Sequence, residues 1–104
     1  MLAWAQEHGP WVMEDGGTIF HANEYSWNKF ANMLYIEAPA GVGYSYCGIK
    51  EGCPFTDDSS ADDNLDAIIY FFTQKFPEFQ GNELYISGES YAGIYVPYVS
   101  YKID

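Results

Sequence analysis

Arginine is absent from this sequence of 104 residues, and four lysines are its only permanently charged basic side chains. Against them stand 15 aspartates and glutamates, so the formal net charge is −11. A chain with this charge is repelled by phosphate backbones and by anionic lipid surfaces. We therefore expect neither nucleic acid nor a membrane as a partner.

Long apolar runs are also missing, since no stretch approaches the roughly 20 residues of a transmembrane helix. The opening MLAWAQEHGP lacks the basic segment and the long apolar stretch of a signal peptide. Nothing in these residues therefore predicts export. Aromatic residues, by contrast, make up 19% of the chain and hydrophobic residues 48%. This composition predicts one small domain with a packed core.

Cysteine is scarce, and the only two, Cys47 and Cys53, have five residues between them. A local disulfide that closes a Gly-containing surface loop is the favoured interpretation, with two free thiols as the alternative. A zinc site would need two more ligands, and His8 and His21 do not have metal-type spacing. A calcium loop that starts at Asp58 within the acidic run fails the template, because Asp63 stands where the loop needs Gly and Ile69 where it needs Glu. We expect no metal and no cofactor.

The chain alternates short apolar runs with helical periodicity. DGG predicts a turn at 15–17, followed by a short strand within 18–23. Further strands are predicted at 33–37 and 83–87. Between them, apolar residues at three- and four-residue steps predict a helix over 61–76, with Ser59 or Ser60 as N-cap and Pro77 as its stop. Strand, helix, strand and helix in this order predict an α/β fold with parallel pairing and a crossover helix, the helix packed on one face of the sheet.

The segment after the last predicted strand, GESYAG, has the form of a nucleophile elbow. In such a strand–turn–helix unit a strained turn presents a serine, and small residues flank it. Ser90 is then the candidate nucleophile, with Gly88, Ala92 and Gly93 as the small residues. The N–H of Tyr91, at the start of the next helix, is the candidate oxyanion donor. A serine that merely caps a helix is the alternative.

Four stretches, GESYAGIYVPY, EAPAGVGYSY, NEYSWNKFANMLYIE and FPEF, closely resemble the serine carboxypeptidases, a branch of the α/β-hydrolases. They occur in the family's order and cover nearly the whole chain. The resemblance implies a lysosomal, vacuolar or secreted exopeptidase that removes single residues from peptide C-termini at acid pH. It also implies that Ser90 is the nucleophile, and that the Tyr91 ring lines the pocket for the penultimate residue of the substrate.

The resemblance further implies that Glu89 and Glu7 form a pair that binds the terminal carboxylate of the substrate. Two close carboxyl groups do not both ionise readily, so they share a proton and can donate to an anion. Loss of that proton as the pH rises accounts for activity at acid pH. Glu7 precedes a Gly-Pro as in the family, although His8 stands where the family usually has an apolar residue. A solvated loop position is the alternative for Glu7.

The triad order of α/β-hydrolases is Ser, Asp, His. After Ser90 the sequence contains no histidine. The resemblance also implies that the Gly-rich segment with the second oxyanion donor would precede the first residue. We therefore expect residues 1–104 to be a fragment of one α/β-hydrolase domain that is inactive alone. An acyltransferase of the same family and a non-catalytic binding module remain alternatives.

Overall fold

The computed structural model describes residues 2–49 and 52–104. The chain divides into two units, Met1–Glu37 and Ala38–Asp104. Apart from short helical turns, its regular elements are the strands β1 (Trp11–Glu14) and β2 (Ile19–Ala22) and the helices α1 (Asp57–Tyr70) and α2 (Ala92–Ile103). The strands belong to the first unit and the helices to the second.

The first unit is built on an antiparallel hairpin. β1 pairs with β2 from Trp11 opposite Ala22 to Glu14 opposite Ile19. The predicted turn at 15–17 connects the two strands, and Gly16 and Gly17 there have φ of 66° and 92°. Glycine adopts such left-handed angles without steric cost, which is why DGG can form this turn. β2 confirms the strand predicted within 18–23, whereas β1 was not predicted.

The second unit contains the predicted helix, but it begins earlier. Thr56, not Ser59 or Ser60, is the N-cap of α1: its side chain accepts from the Ser59 N–H, and the Ser59 hydroxyl accepts from the Thr56 N–H. This reciprocal capping box satisfies donors that would otherwise be free at the helix start. After α1, a π-helical turn at Phe71–Lys75 continues the helix to just before Pro77.

The strands predicted at 33–37 and 83–87 are wrong, because neither segment is a strand in the structure. A strand requires hydrogen bonds to a neighbouring strand, and in residues 2–49 and 52–104 the only sheet is the hairpin of β1 and β2. The predicted parallel pairing, and a helix packed on that sheet, are therefore absent from the part of the chain that the structure describes.

A packed core was predicted from the composition, but the core in the structure is small. Among the described residues, the buried hydrophobic ones are Ala5, Ala61 and Val99. Apolar side chains of the segments 33–37 and 83–87 stay accessible to solvent, with Leu34 at 44% and Leu84 at 47% relative exposure. An apolar run becomes core only when a second layer covers it, and these segments have no such layer here.

Candidate functional site

Ser90 lies in a tight turn directly before α2. Its φ is 58°, a left-handed value that non-glycine residues seldom adopt. The Ala92 N–H donates to the Glu89 carbonyl and the Gly93 N–H to the Ser90 carbonyl, each at 3.0 Å. These bonds close the turn and lead into α2, which starts at Ala92. The turn, the strained serine and the helix start all agree with the predicted elbow; the strand before it does not form.

The surroundings of Gly88 explain why a small residue is needed two positions before the serine. A Cβ at this position would lie 2.3 Å from the Ala92 Cβ and 3.3 Å from Val96 Cγ2. Carbon atoms in ordinary contact are about 3.5–4.0 Å apart, so the turn can close on α2 only with glycine here. A Cβ at Gly93 would have no neighbour within 4 Å. The described residues therefore give no steric reason for glycine at 93.

Tyr91 presents two groups at the start of α2. Among the described residues, its N–H has no backbone acceptor, as is usual for the first donors of a helix. Its hydroxyl donates to Asp57, at 3.1 Å from Oδ1 and 3.2 Å from Oδ2. That hydrogen bond, together with the charge of the carboxylate, raises the pKa of Tyr91. The phenol therefore keeps its proton and acts as a donor.

The acidic start of α1 also holds the other end of α2. Lys102 Nζ lies 2.6 Å from Asp62 Oδ1 and 3.0 Å from Asp58 Oδ1. The hydrogen bonds to Asp62 and then to Asp58 raise the pKa of Lys102. The acidic residues of this helix thus do more than complement its positive end. No local pattern in the sequence pairs Lys102 with residues about 40 positions away.

Glu7 lies in the first unit, in a segment held by its backbone. Asn23 Nδ2 donates to the carbonyls of Glu7 at 3.1 Å and of Gly9 at 2.9 Å, and the Trp27 N–H donates to the His8 carbonyl at 3.0 Å. The Glu7 side chain itself is exposed. Asn23 was not predicted as an anchor, since an asparagine that bonds distant carbonyls has no local signature.

His8 stands at the position where the resemblance leads us to expect an apolar residue, and its planar ring packs against aromatic neighbours. Its imidazole stacks on Trp27 with the ring centroids 4.5 Å apart, and Nδ1 lies 3.0 Å from the Tyr35 hydroxyl. Burial raises the pKa of Tyr35, so the phenol stays protonated. Stacking lets a histidine ring cover apolar surface, which accounts for its place here.

The structure brings Glu89, Ser90 and Tyr91 into one turn and leaves the Glu89 side chain exposed. Glu7 belongs to the other unit. The pairing of Glu7 with Glu89, and the roles of all four residues, stay predictions.

Cys47 and Cys53 form a disulfide, with their Cα atoms 5.8 Å apart. This separation lies within the usual range of about 4.4–6.8 Å for disulfides. Within residues 2–49 and 52–104, no three His, Cys, Asp or Glu side chains come together as a possible metal site. In the same residues no helix has the length and apolar character needed to cross a bilayer.

A serine at positive φ in a closed turn before a helix is the arrangement of a hydrolase nucleophile elbow. Comparison with known proteins agrees: the family model described as serine carboxypeptidase matches residues 1–104. The chain is 45% identical over 98 residues to serine carboxypeptidase ctsa-4.1 of Caenorhabditis elegans, covering 94% of this chain and 20% of that protein. It is 51% identical over 94 residues to serine carboxypeptidase-like 35 of Arabidopsis thaliana, with 89% and 19% covered.

A third relative is the lysosomal protective protein of Mus musculus, 47% identical over 91 residues, with 88% of this chain and 19% of that protein covered. The chain belongs to the serine carboxypeptidase family. Membership implies the α/β-hydrolase fold. The chain spans about a fifth of the length of the curated relatives it matches.

Proposed function

We propose that residues 1–104 are part of a serine carboxypeptidase that releases single residues from peptide C-termini at acid pH through an acyl-enzyme. The observation that carries this proposal is Ser90, held at a φ of 58° directly before α2. A strained non-glycine residue costs about 1–3 kcal/mol and persists where the surrounding structure, and often function, requires it. We call a longer chain that contains residues 1–104 the parent chain.

In this proposal Ser90 Oγ attacks the carbonyl carbon of the last peptide bond, and its proton passes to a base that the parent chain supplies. The negative charge that develops on the carbonyl oxygen faces the Tyr91 N–H. As this intermediate collapses, the C–N bond breaks, the base gives its proton to the departing amine nitrogen, and an ester remains on Ser90. Water then hydrolyses this ester and frees the shortened peptide.

Glu7 and Glu89 are proposed to bind the terminal carboxylate of the substrate. With one shared proton the pair donates a hydrogen bond to that carboxylate; without the proton it repels it. Activity should therefore be highest at acid pH. A peptidase needs such a pair, whereas an acyltransferase that uses the same elbow does not. The presence of both glutamates therefore favours peptide hydrolysis over acyl transfer and over a non-catalytic binding module.

The substrates proposed are peptide and protein C-termini, and the proposed compartment is the lysosome, the vacuole or the exterior of the cell. The Cys47–Cys53 disulfide supports an oxidising compartment. One relative at 47% identity carries a lysosomal name. The net charge of −11 argues against nucleic acid or anionic membranes as partners.

The test is the pH dependence of kcat/KM for a blocked dipeptide, measured on the parent chain and on its Glu89→Gln variant. An amide donates without titrating, so the variant should lose less activity than the parent as the pH rises. Glu78→Gln is the matched control, because Glu78 is an exposed glutamate of the same unit. Identical profiles for the parent and Glu89→Gln would remove Glu89 from this role.

The residues 1–104 alone should not turn over substrate at any pH, because the proposed base and second oxyanion donor come from the rest of the parent chain. Turnover by the purified 104-residue chain, abolished by Ser90→Ala, would contradict the proposal that the site is completed from elsewhere.

A further inference from the structure

Asp57 connects the start of α1 to the residue that follows the candidate nucleophile. The Tyr91 hydroxyl donates to both of its carboxylate oxygens, at 3.1 and 3.2 Å, across 34 positions of sequence. Both residues lie in the second unit. The contact therefore ties the closed turn around Ser90 to a separate helix.

The backbone of Asp57 is fixed by the helix that carries it. Asp57 is the first residue of α1; it directly follows the N-cap Thr56 and lies inside the Thr56–Ser59 capping box. A carboxylate at this point is favoured by the positive end of the helix and is oriented by a capped backbone. The backbone that carries the acceptor is thus held in place independently of Tyr91.

The Tyr91 ring is also held on a second side. It packs edge-on against Tyr95, one turn along α2, with ring centroids 5.1 Å apart. With its hydroxyl on Asp57 and its edge on Tyr95, the side chain has little freedom to rotate. The backbone N–H of Tyr91 directly follows Ser90, the residue with a φ of 58°. Tyr91 as a whole is 56% exposed, so its hydroxyl can bond to water once Asp57 is removed, and the effect on kcat should be moderate.

We propose that Asp57 is a positioning residue, which acts by holding the Tyr91 side chain and thereby aligns the Tyr91 N–H with the strained turn at Ser90. This inference rests on the proposed function of Ser90 and Tyr91. Asp57 does not touch the reacting atoms. Its influence on the reaction passes entirely through Tyr91.

The test is a double-mutant cycle in the parent chain with Asp57→Ala, Tyr91→Phe and both together. Each single change should lower kcat by about three- to tenfold, the range expected for loss of one hydrogen bond. The double variant should lose no more than either single variant, because both remove the same bond. KM should change little, since misaligning an oxyanion donor affects the transition state.

Two further variants separate positioning from general support of the fold. Asp57→Asn keeps an acceptor oxygen and should recover most of the kcat lost in Asp57→Ala. Asp66→Ala removes the same charge from an exposed site in the middle of α1 and should leave kcat unchanged. Equal losses in Asp57→Ala and Asp66→Ala would overturn the proposal, as would independent, multiplying losses in Asp57→Ala and Tyr91→Phe.

A spectroscopic measurement gives a readout that does not depend on turnover. In parent chain labelled with ¹³C at the tyrosine ring carbon bonded to oxygen, the Tyr91 signal is the one that disappears in Tyr91→Phe. It should titrate at lower pH in Asp57→Asn, because the carboxylate that disfavours the phenolate is gone. An unchanged titration would show that the contact is absent.

The two proposals fail in different ways. A parent chain whose Ser90 does not react with a fluorophosphonate contradicts the proposed function, and this inference falls with it. A parent chain that reacts and turns over normally, but shows no coupling between Asp57 and Tyr91, contradicts this inference alone.

Discussion

Replacing Gly88 by alanine probes how tightly the candidate nucleophile turn is closed against α2. The added Cβ would lie 2.3 Å from the Ala92 Cβ. Ordinary contacts between carbon atoms begin at about 3.5 Å, so the added Cβ would be about 1.2 Å too close. Neither Cβ can rotate away, because both are attached directly to the backbone. Relief requires the turn and the first residue of α2 to move apart by about 1 Å.

Overpacking of this kind costs about 1–3 kcal/mol, and we expect Gly88→Ala to fall near the upper end of that range. A displacement of about 1 Å at a catalytic group can lower the rate by about 100-fold. In the parent chain, Gly88→Ala should therefore lower both the free energy of unfolding in urea and the rate at which a fluorophosphonate labels Ser90.

Two variants control this experiment. Gly48→Ala adds a methyl group where nothing lies within 4 Å, so it should be neutral or slightly stabilising. Ala92→Gly, added to Gly88→Ala, removes the 2.3 Å contact and leaves one of 3.3 Å to the Val96 side chain, which can adjust. The double variant should therefore recover most of the lost labelling rate. A Gly88→Ala variant as mild as Gly48→Ala, or a double variant no better than the single, would refute the steric argument.

Three further changes test other contacts in the parent chain. The Ser60 hydroxyl is buried without a hydrogen-bond partner among the described residues, so Ser60→Ala should raise the free energy of unfolding by about 0.5–2 kcal/mol; a decrease would show that the hydroxyl is bonded. Replacing Cys47 and Cys53 by serine removes a disulfide between residues separated by 6 positions and should lower the free energy of unfolding in urea by about 2 kcal/mol. An unchanged free energy of unfolding would mean that the disulfide is absent. In Asn23→Asp the side chain no longer donates to the carbonyl of Glu7, so the proposed carboxylate-binding residue is held less firmly and KM for peptides with a free C-terminus should rise. An unchanged KM would show that Asn23 does not support substrate binding.

Local patterns in the sequence predicted the elements that depend on local interactions. The apolar stripe predicted the helix before Pro77, and DGG predicted the turn at 15–17, although not the hairpin that this turn closes. The small residues around Ser90 predicted its turn and the start of α2. The N-cap was assigned too late because Ser59, in place of the usual Glu or Gln, completes the capping box of Thr56.

Interactions between distant residues were predicted poorly. Whether 83–87 becomes a strand depends on a hydrogen-bonded neighbour, which an apolar run does not specify. Lys102 with Asp62, Tyr91 with Asp57, and Asn23 with the carbonyl of Glu7 each join residues at least 16 positions apart. No spacing rule links such pairs, so only the folded chain reveals them.

The central claim is that Ser90 is a catalytic nucleophile. Its most direct test is release of the C-terminal residue from a blocked dipeptide at acid pH by the parent chain and by its Ser90→Ala variant, with thermal unfolding as a check that both are folded. We predict that Ser90→Ala lowers kcat by about 10⁴-fold or more, because no other group in the turn can form the acyl-enzyme. A folded Ser90→Ala variant that keeps kcat within about tenfold of the parent value would contradict the account.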